Sequence, residues 1–443
     1  VSEGFFPRWV PARQTGAVMP DERLPLGQTV VLGIQHVVAM FGATALAPIL
    51  MGFDPNLAIF FSGVATLIFF VVTGGRVPSY LGSSFAFIAV VIAATGYAGS
   101  GPNPNIPVAL GGIIAAGVVY TAIGIVVAAA GPGWIERVMP PAVTGAIVAA
   151  IGLNLAPIAV KGVSGSQTDI WIGLATVVAV GAVAVYAPGM ARRLPILIGG
   201  AIAYLLHLVL ANGLGLAKPI DFSGVAQAAW FGMPRFVAPV FEANAMWLIA
   251  PVAVVLVAEN LGHVKAIGAM TGRSLDPYLG RAFIGDGVAT MISGYGGGTG
   301  VTTYAENMGV MAVTRIYSTL VFVAAAIVAL LLGLSPKFGA LILTIPGPVI
   351  GGLSIVVFGL ITATAGRIWV ENGVDFSRAR NLLTVGVAVV LGAGDLTIRI
   401  GSFTLGGIGT ATFGAIIFYH LLRDDRAGEI ATADGAAGRP VSR

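Results

Sequence analysis

The sequence predicts an all-α polytopic membrane protein with fourteen transmembrane segments, built as two inverted seven-span repeats with short extended strands in the broken segments 3 and 10. Three observations predict it. Hydrophobic residues make up 57% of the chain against 9% charged, and mean hydropathy is +0.94. A soluble domain carries about 25% charged residues, so a large water-soluble core is the wrong expectation. About fourteen apolar segments lie between charged or Gly/Pro-rich breaks. Matching short motifs recur at corresponding places in the two halves.

The segments are centred at 28–49, 57–74, 82–96, 107–130, 138–160, 168–188, 194–212, 246–268, 282–294, 301–313, 316–335, 341–364, 381–394 and 402–422. Most approach the ~20 residues a spanning helix needs. Segments 82–96, 282–294 and 301–313 are too short to span alone. With the N-terminus placed in the cytoplasm, 18 Lys/Arg fall on the inside and 5 (Lys161, Lys218, Arg235, Lys337 and Arg399) on the outside. That bias fits the positive-inside rule, and an even span count puts both ends inside. The expected organisation is a cytoplasmic segment 1–27, a first repeat 28–212, an extracytoplasmic loop 213–245, a second repeat 246–422 and a solvated, mobile tail 423–443.

The long loop divides seven segments from seven. "PAVTGAIVAAIGL" (Pro141–Leu153) matches "PVIGGLSIVVFGL" (Pro348–Leu360), and "SSFAF" (Ser83–Phe87) resembles "TTYAE" (Thr302–Glu306). Seven is odd, so the second half would run inverted. Paired, interrupted segments in inverted halves point to a transport site near the bilayer midplane.

The acids within the spans are Glu259, Asp286 and Glu306. A charge at the centre of a bilayer costs at least ~2.5–3.5 kcal/mol, which makes such residues functional by default. "VAENLGHVKAIG" puts Glu259 and His263 four apart, on one helix face. Glu306 follows "GYGGGTGVTTY", which reads as an extended stretch leading into a half-helix whose free amides point into the protein. Carboxylate acceptors, backbone donors and the aromatic faces of Phe85 and Tyr304 would suit a flat, neutral, polar ring. His36, beside Gln35, is either part of this network or a packing residue; His207 has no local partner and reads as structural. Asp286 either braces the ninth segment or serves a proton path. The bland alternative for the glutamates is a structural role at helix ends.

Other classes fit less well. There are no cysteines, so thiolate metal sites and disulfides are excluded. The Glu259–His263 spacing is not that of a zinc hydrolase, and Ser293 in "ISGYGGG" is a weak echo of a serine nucleophile. A formal charge of +4 with no basic cluster argues against nucleic acid as a partner. The opening residues lack a basic region followed by an apolar run, so no signal peptide is expected.

"GIQHVVAMFGATALAPIL" (Gly33–Leu50), "YLGSSFAFI" (Tyr80–Ile88), "VAENLGHV" (Val257–Val264) and "TTYAENMGVMAVTRIYST" (Thr302–Thr319) resemble the nucleobase:cation symporter-2 family, closest to its bacterial uracil:proton symporter and pyrimidine permease branch. The resemblance implies a core domain of spans 1–4 and 8–11, a gate domain of spans 5–7 and 12–14, and pairing of the two short strands at the substrate site. It also implies a homodimer in the bacterial inner membrane. By resemblance Glu259 and Glu306 contact the base, and Phe85, Tyr304 and Ala305 shape the slot and supply amides. His263 and His36 tune the polar network, and Glu259 carries the coupling proton; no other cofactor is implied. Purine-transporting members usually carry Gln at the Glu306 position, so Glu306 favours a pyrimidine. Ala305 stands where some uracil symporters have Gly, which leaves base preference open. The expectation is therefore a proton-coupled uracil importer, not an enzyme, working by alternating access. A xanthine or urate permease of the same fold, or an uncoupled nucleobase facilitator, is the alternative.

Overall fold

The computed structural model describes residues 4–13, 16–97, 99, 101–189, 191–401 and 403–422. The C-terminal tail 423–443 lies outside these residues. Among the described residues are fourteen helices of nine residues or more, each overlapping one of the apolar segments. They are α1 (Leu26–Met51), α2 (Pro55–Val72), α3 (Phe87–Thr95), α4 (Ile106–Ala130), α5 (Pro141–Val163), α6 (Gln167–Tyr186), α7 (Pro195–Leu208), α8 (Val252–Thr271), α9 (Leu279–Gly296), α10 (Ala305–Thr314), α11 (Thr319–Gly333), α12 (Gly347–Glu371), α13 (Ala379–Ala393) and α14 (Gly407–Leu421). By length and composition, 8 described helical stretches are long and apolar enough to cross a membrane; α11 and the helix Pro336–Ile342, bent by 86°, form either a broken ninth span or a re-entrant loop.

Local chemistry sets the ends. Asp54 accepts from the Asn56 amide, and Pro55 pre-sets the first turn of α2. Ser166 caps α6 in the same way through the Asp169 amide. α1 and α8 stop at Gly52 and Gly272, both left-handed. The ninth segment, expected to be short, is a full 18-residue helix, because its small polar residues Asp286, Thr290 and Ser293 are buried inside the protein and hydropathy undercounts them.

The helices pack in two groups. In one, α4 lies on α9, and α11 on α1 and α2, with α9 also on α2. In the other, α5 lies on α12, α13 and α14, with α6 on α7 and α12. Thinner contacts join the groups through α1–α7, α8–α5 and α8–α14. Apolar surface gains nothing by moving from lipid to a helix neighbour, so close approach of small residues holds such packing together.

Two strands, β1 (Leu81–Ser83) and β2 (Val301–Thr303), pair antiparallel in the first group, Gly82 opposite Thr302. β2 falls within the extended stretch Gly294–Tyr304 expected before Glu306, and each strand overlaps the start of its pentapeptide, Ser83–Phe87 or Thr302–Glu306, whose later residues lead into the helix that follows.

The N-terminal segment, read as polar and cytoplasmic, is packed against the first helix group. Phe6 and Trp9 stack on Phe70 of α2 at ring-centroid distances of 5.9 and 5.8 Å. Val18 bridges in parallel to Ile316. Between the π-helix Val209–Gly213 and the helix Ala243–Ile249 the loop holds one short helix, Ser223–Gln227, whose carbonyl end receives Lys337 Nζ at 2.8 Å from Val225 O.

Candidate functional site

The glycine run before Glu306 makes the site possible. α9 ends on Gly297 at φ +94, a conformation L side chains rarely adopt. A Cβ on Gly300 would run into the ring of Phe87 on the helix after β1, so glycine is what lets the chain pass that ring into β2. The ladder continues beyond both strands, with Ser84 N–H on Gly300 O at 2.9 Å and Tyr304 N–H on Tyr80 O at 3.0 Å. This backbone is buried inside the protein, where non-helical structure at membrane depth is tolerated.

From this crossing two half-helices start, α3 and α10. Glu306 is in the first turn of α10, half-buried. Glu259, also half-buried, projects from the middle of α8 within electrostatic reach of Glu306, and the Thr302 side chain lies beside it. Among the described residues, no group accepts from the amide N–H of Phe85 or of Ala305. These are the donors the half-helix ends were expected to present. Tyr304 does not present one: its amide is spent on Tyr80, because the ladder runs one residue past β2. Its ring and hydroxyl are a brace instead. The hydroxyl donates to Ser83 O at 2.8 Å, accepts from Thr44 Oγ1 at 3.1 Å, and its ring fills the space that a side chain on Gly82 would need.

Tyr304→Phe is therefore expected to lose about 1–3 kcal/mol of stability, since the buried Ser83 carbonyl is left without its donor. The measure is the thermal unfolding midpoint in detergent; an unchanged midpoint would show that the hydroxyl braces nothing.

His263 was expected to work beside Glu259. It is tied to Thr303 instead, Nδ1 to Oγ1 at 2.8 Å, on the helix face it shares with Glu259. Thr303 Oγ1 in turn donates to Asn260 Oδ1 at 3.3 Å. Asn260 Nδ2 donates to Asp286 Oδ2 at 2.6 Å and to Tyr120 OH at 2.9 Å, and Tyr120 OH donates to Asp286 Oδ2 at 3.2 Å. A chain of polar groups, buried from Thr303 onward, thus links the half-buried His263 to Asp286. Asn260 and Tyr120 were missed in the sequence. Asn260 stands next to Glu259 and was legible; Tyr120, 140 residues away, carried no signal.

His36 is buried one residue from Glu306: Asn307 Nδ2 lies 3.0 Å from both His36 O and Nδ1, and Phe322 covers the imidazole at 4.6 Å between centroids. His207 is away from the site and has a partner after all, Lys218 O at 3.1 Å. Phe85 is half-buried and meets Phe358 of α12 edge to face at 6.0 Å, so the second helix group also reaches the site.

A family model described as the Permease family matches residues 27–401. The chain belongs to this family, the nucleobase:cation symporter-2 permeases. It is a permease and not an enzyme. Among its relatives, the Escherichia coli (strain K12) protein named pyrimidine permease RutG is 65% identical, covering 94% of this chain and 95% of that protein. The uracil permeases of Paenibacillus larvae and of Escherichia coli (strain K12) are 40% and 39% identical, covering 90% and 89% of this chain and 95% and 91% of theirs. Two solved structures share the fold. The transmembrane domain of the cyanobacterium bicarbonate transporter BicA has a TM-score of 0.62 at 18% identity, covering 89% of this chain and 98% of that one. Murine Slc26a9, an anion transporter in the inward-facing state, has a TM-score of 0.64 at 12% identity, covering 91% and 69%. The permease is thus a multi-pass, predominantly helical membrane protein of that fold.

Proposed function

We propose that this permease imports uracil, with a proton, across the bacterial inner membrane. The carrying observation is the convergence of Glu259 and Glu306 on the point where two half-helices begin with free amides. Uracil offers two ring N–H donors and two carbonyl acceptors on a flat face. The carboxylates take the N–H groups, the amides of Phe85 and Ala305 take the carbonyls, and the Phe85 ring meets the face. The names of the relatives, uracil and pyrimidine permeases, support the same substrate class. Glu259 holds the proton, and His263 and His36 set the network around it.

The same reading assigns fourteen spans in two inverted repeats, with both termini cytoplasmic. In support, packing partners exchange in pairs when each segment is swapped with its counterpart seven later: α4–α9 with α11–α2, α6–α7 with α13–α14, and α5–α13 with α12–α6. α1–α4 with α8–α11 form the core domain and α5–α7 with α12–α14 the gate, working as a homodimer by alternating access. Exposed positions Gly262, Ala269, Ala305, Gly309 and Ala312 run from the glutamates down α8 and α10 toward the face covered by the N-terminal segment. The opposite half of α8 is largely buried, which supports a path from the site that opens toward that face. At its rim Arg193 of the gate lies 3.5 Å from Gly309 O of the core.

The test is radiolabelled uracil uptake into proteoliposomes under an inward proton gradient. Accumulation that collapses with an ionophore is expected. Downhill flux indifferent to the gradient would identify a facilitator. Absence of uracil flux, with xanthine bound, would move the permease to the purine-transporting members.

A further inference from the structure

α10 carries Glu306 in its first turn and is only 10 residues long. A helix of that length is marginal by itself, so its direction depends on what holds its two ends. The first end is fixed by the ladder, through Tyr304 N–H on Tyr80 O. The second end is Arg315, left-handed at φ 54, a strained conformation for a residue with a side chain. What holds Arg315 comes from the other end of the sequence. Val18 N–H donates to Arg315 O at 2.9 Å, and Tyr317 N–H donates to Val18 O at 2.8 Å. Around this bridge, Ser318 Oγ donates to Glu22 O at 2.6 Å and Thr319 Oγ1 to Pro20 O at 3.0 Å.

The rest of the segment is anchored to neighbouring core elements. Trp9 Nε1 donates to Thr319 Oγ1 at 3.0 Å while its ring stacks on Phe70 of α2. Asp21 pairs with Arg273, just past α8, at 2.9 Å. Arg281 of α9 lies over the Phe5 ring at 4.9 Å. Every one of these partners belongs to the core helix group.

We propose that residues 4–13 and 16–25 are a positioning element of the substrate site, a strap that fixes the far end of α10 and so aims Glu306, and that it stays docked on the core throughout the transport cycle. The proposal rests on the uracil reading only for its functional readout. A segment that closed and opened the cleft would need to grip the gate, and the contacts described here all lie on the core side.

Three measurements on the full-length protein test it. In Trp9→Ala and Val18→Pro, amide exchange over residues 305–317 is expected to speed up while exchange in α5–α7 stays as in the parent, and the uracil Kd is expected to rise about 5- to 20-fold. Unchanged exchange over 305–317 in both variants would overturn the proposal, as would exchange that rises equally everywhere. Because the chain has no cysteine, a Val18→Cys/Ile316→Cys pair can be oxidised in isolation. The cross-linked protein is expected to transport at the rate of its reduced form; a cross-link that stops transport would overturn the claim that the strap stays docked. The exchange measurement needs no ligand, so a parent protein that fails to bind uracil would sink the uracil reading and leave this inference to be decided by exchange alone.

Discussion

Glu259→Gln is expected to abolish proton-driven uracil accumulation in proteoliposomes. Glutamine keeps the shape and one acceptor but can neither release nor take up a proton. It also turns a charge-assisted bond to a uracil N–H into a neutral one. Hydrogen bonds to charged groups contribute about 1.5–3 kcal/mol against about 0.5–1.5 for neutral ones, so the binding loss alone is about 1–1.5 kcal/mol, roughly 5- to 15-fold. Two readouts separate the roles assigned to Glu259. Uracil counterflow, which needs binding but no net proton movement, is expected to weaken; gradient-driven accumulation is expected to vanish. Normal accumulation in the variant would remove Glu259 from coupling and direct attention to Asp286 at the end of the Asn260 chain.

Gly287→Leu is expected to prevent folding altogether. Gly287 faces α4 where the two backbones nearly touch: a Cβ there would meet Thr121 and come within 2.8 Å of Gly117 O. The crowding is mutual, since a Cβ on Gly117 would stand 2.8 Å from Gly287 O, and one on Gly124 would stand 2.6 Å from Ile284 N. Forcing even a few methylenes into a packed core costs about 1–3 kcal/mol, and here the obstacle is backbone, which cannot rotate away. Pushing α4 from α9 would also part Tyr120 from Asp286, the residue beside Gly287. The measurement is the monodisperse peak of a fluorescent fusion in size-exclusion chromatography. Gly386→Leu is the control: its Cβ meets nothing within 4 Å, and the peak is expected to survive. A surviving peak for Gly287→Leu would show that α4 and α9 can repack.

Most of the helix pattern was legible because burial in lipid demands long apolar runs, and those runs overlap α1–α14. The glutamates were legible because they are expensive where they lie, and each lies within electrostatic reach of the other. The extended stretch before Glu306 was placed correctly and holds β2, while its pairing with Leu81–Ser83 came from the family resemblance alone, since three residues carry too little alternation to fix a register. Tyr304 was read as an amide donor, and only the partner strand reveals that its amide is taken. His263 was paired in expectation with its helical neighbour. Its actual partner, Thr303, is 40 residues on, across a turn that no periodicity encodes. The strap escaped notice for the opposite reason: a short polar segment looks like a tail until the surface it covers is known.

The β1–β2 pair also governs how the protein can be made. Tyr304 and the Ser83 carbonyl it serves are 221 residues apart. While the ribosome is still adding the second half, the backbone of Leu81–Ser83 has no ladder to join, and a free strand edge is intolerable in hydrocarbon. The third segment must therefore wait, shielded by insertion machinery or left at the membrane surface, until Val301–Thr303 emerges. Pairing of the two strands is thus a late step of assembly, since it needs both halves of the chain.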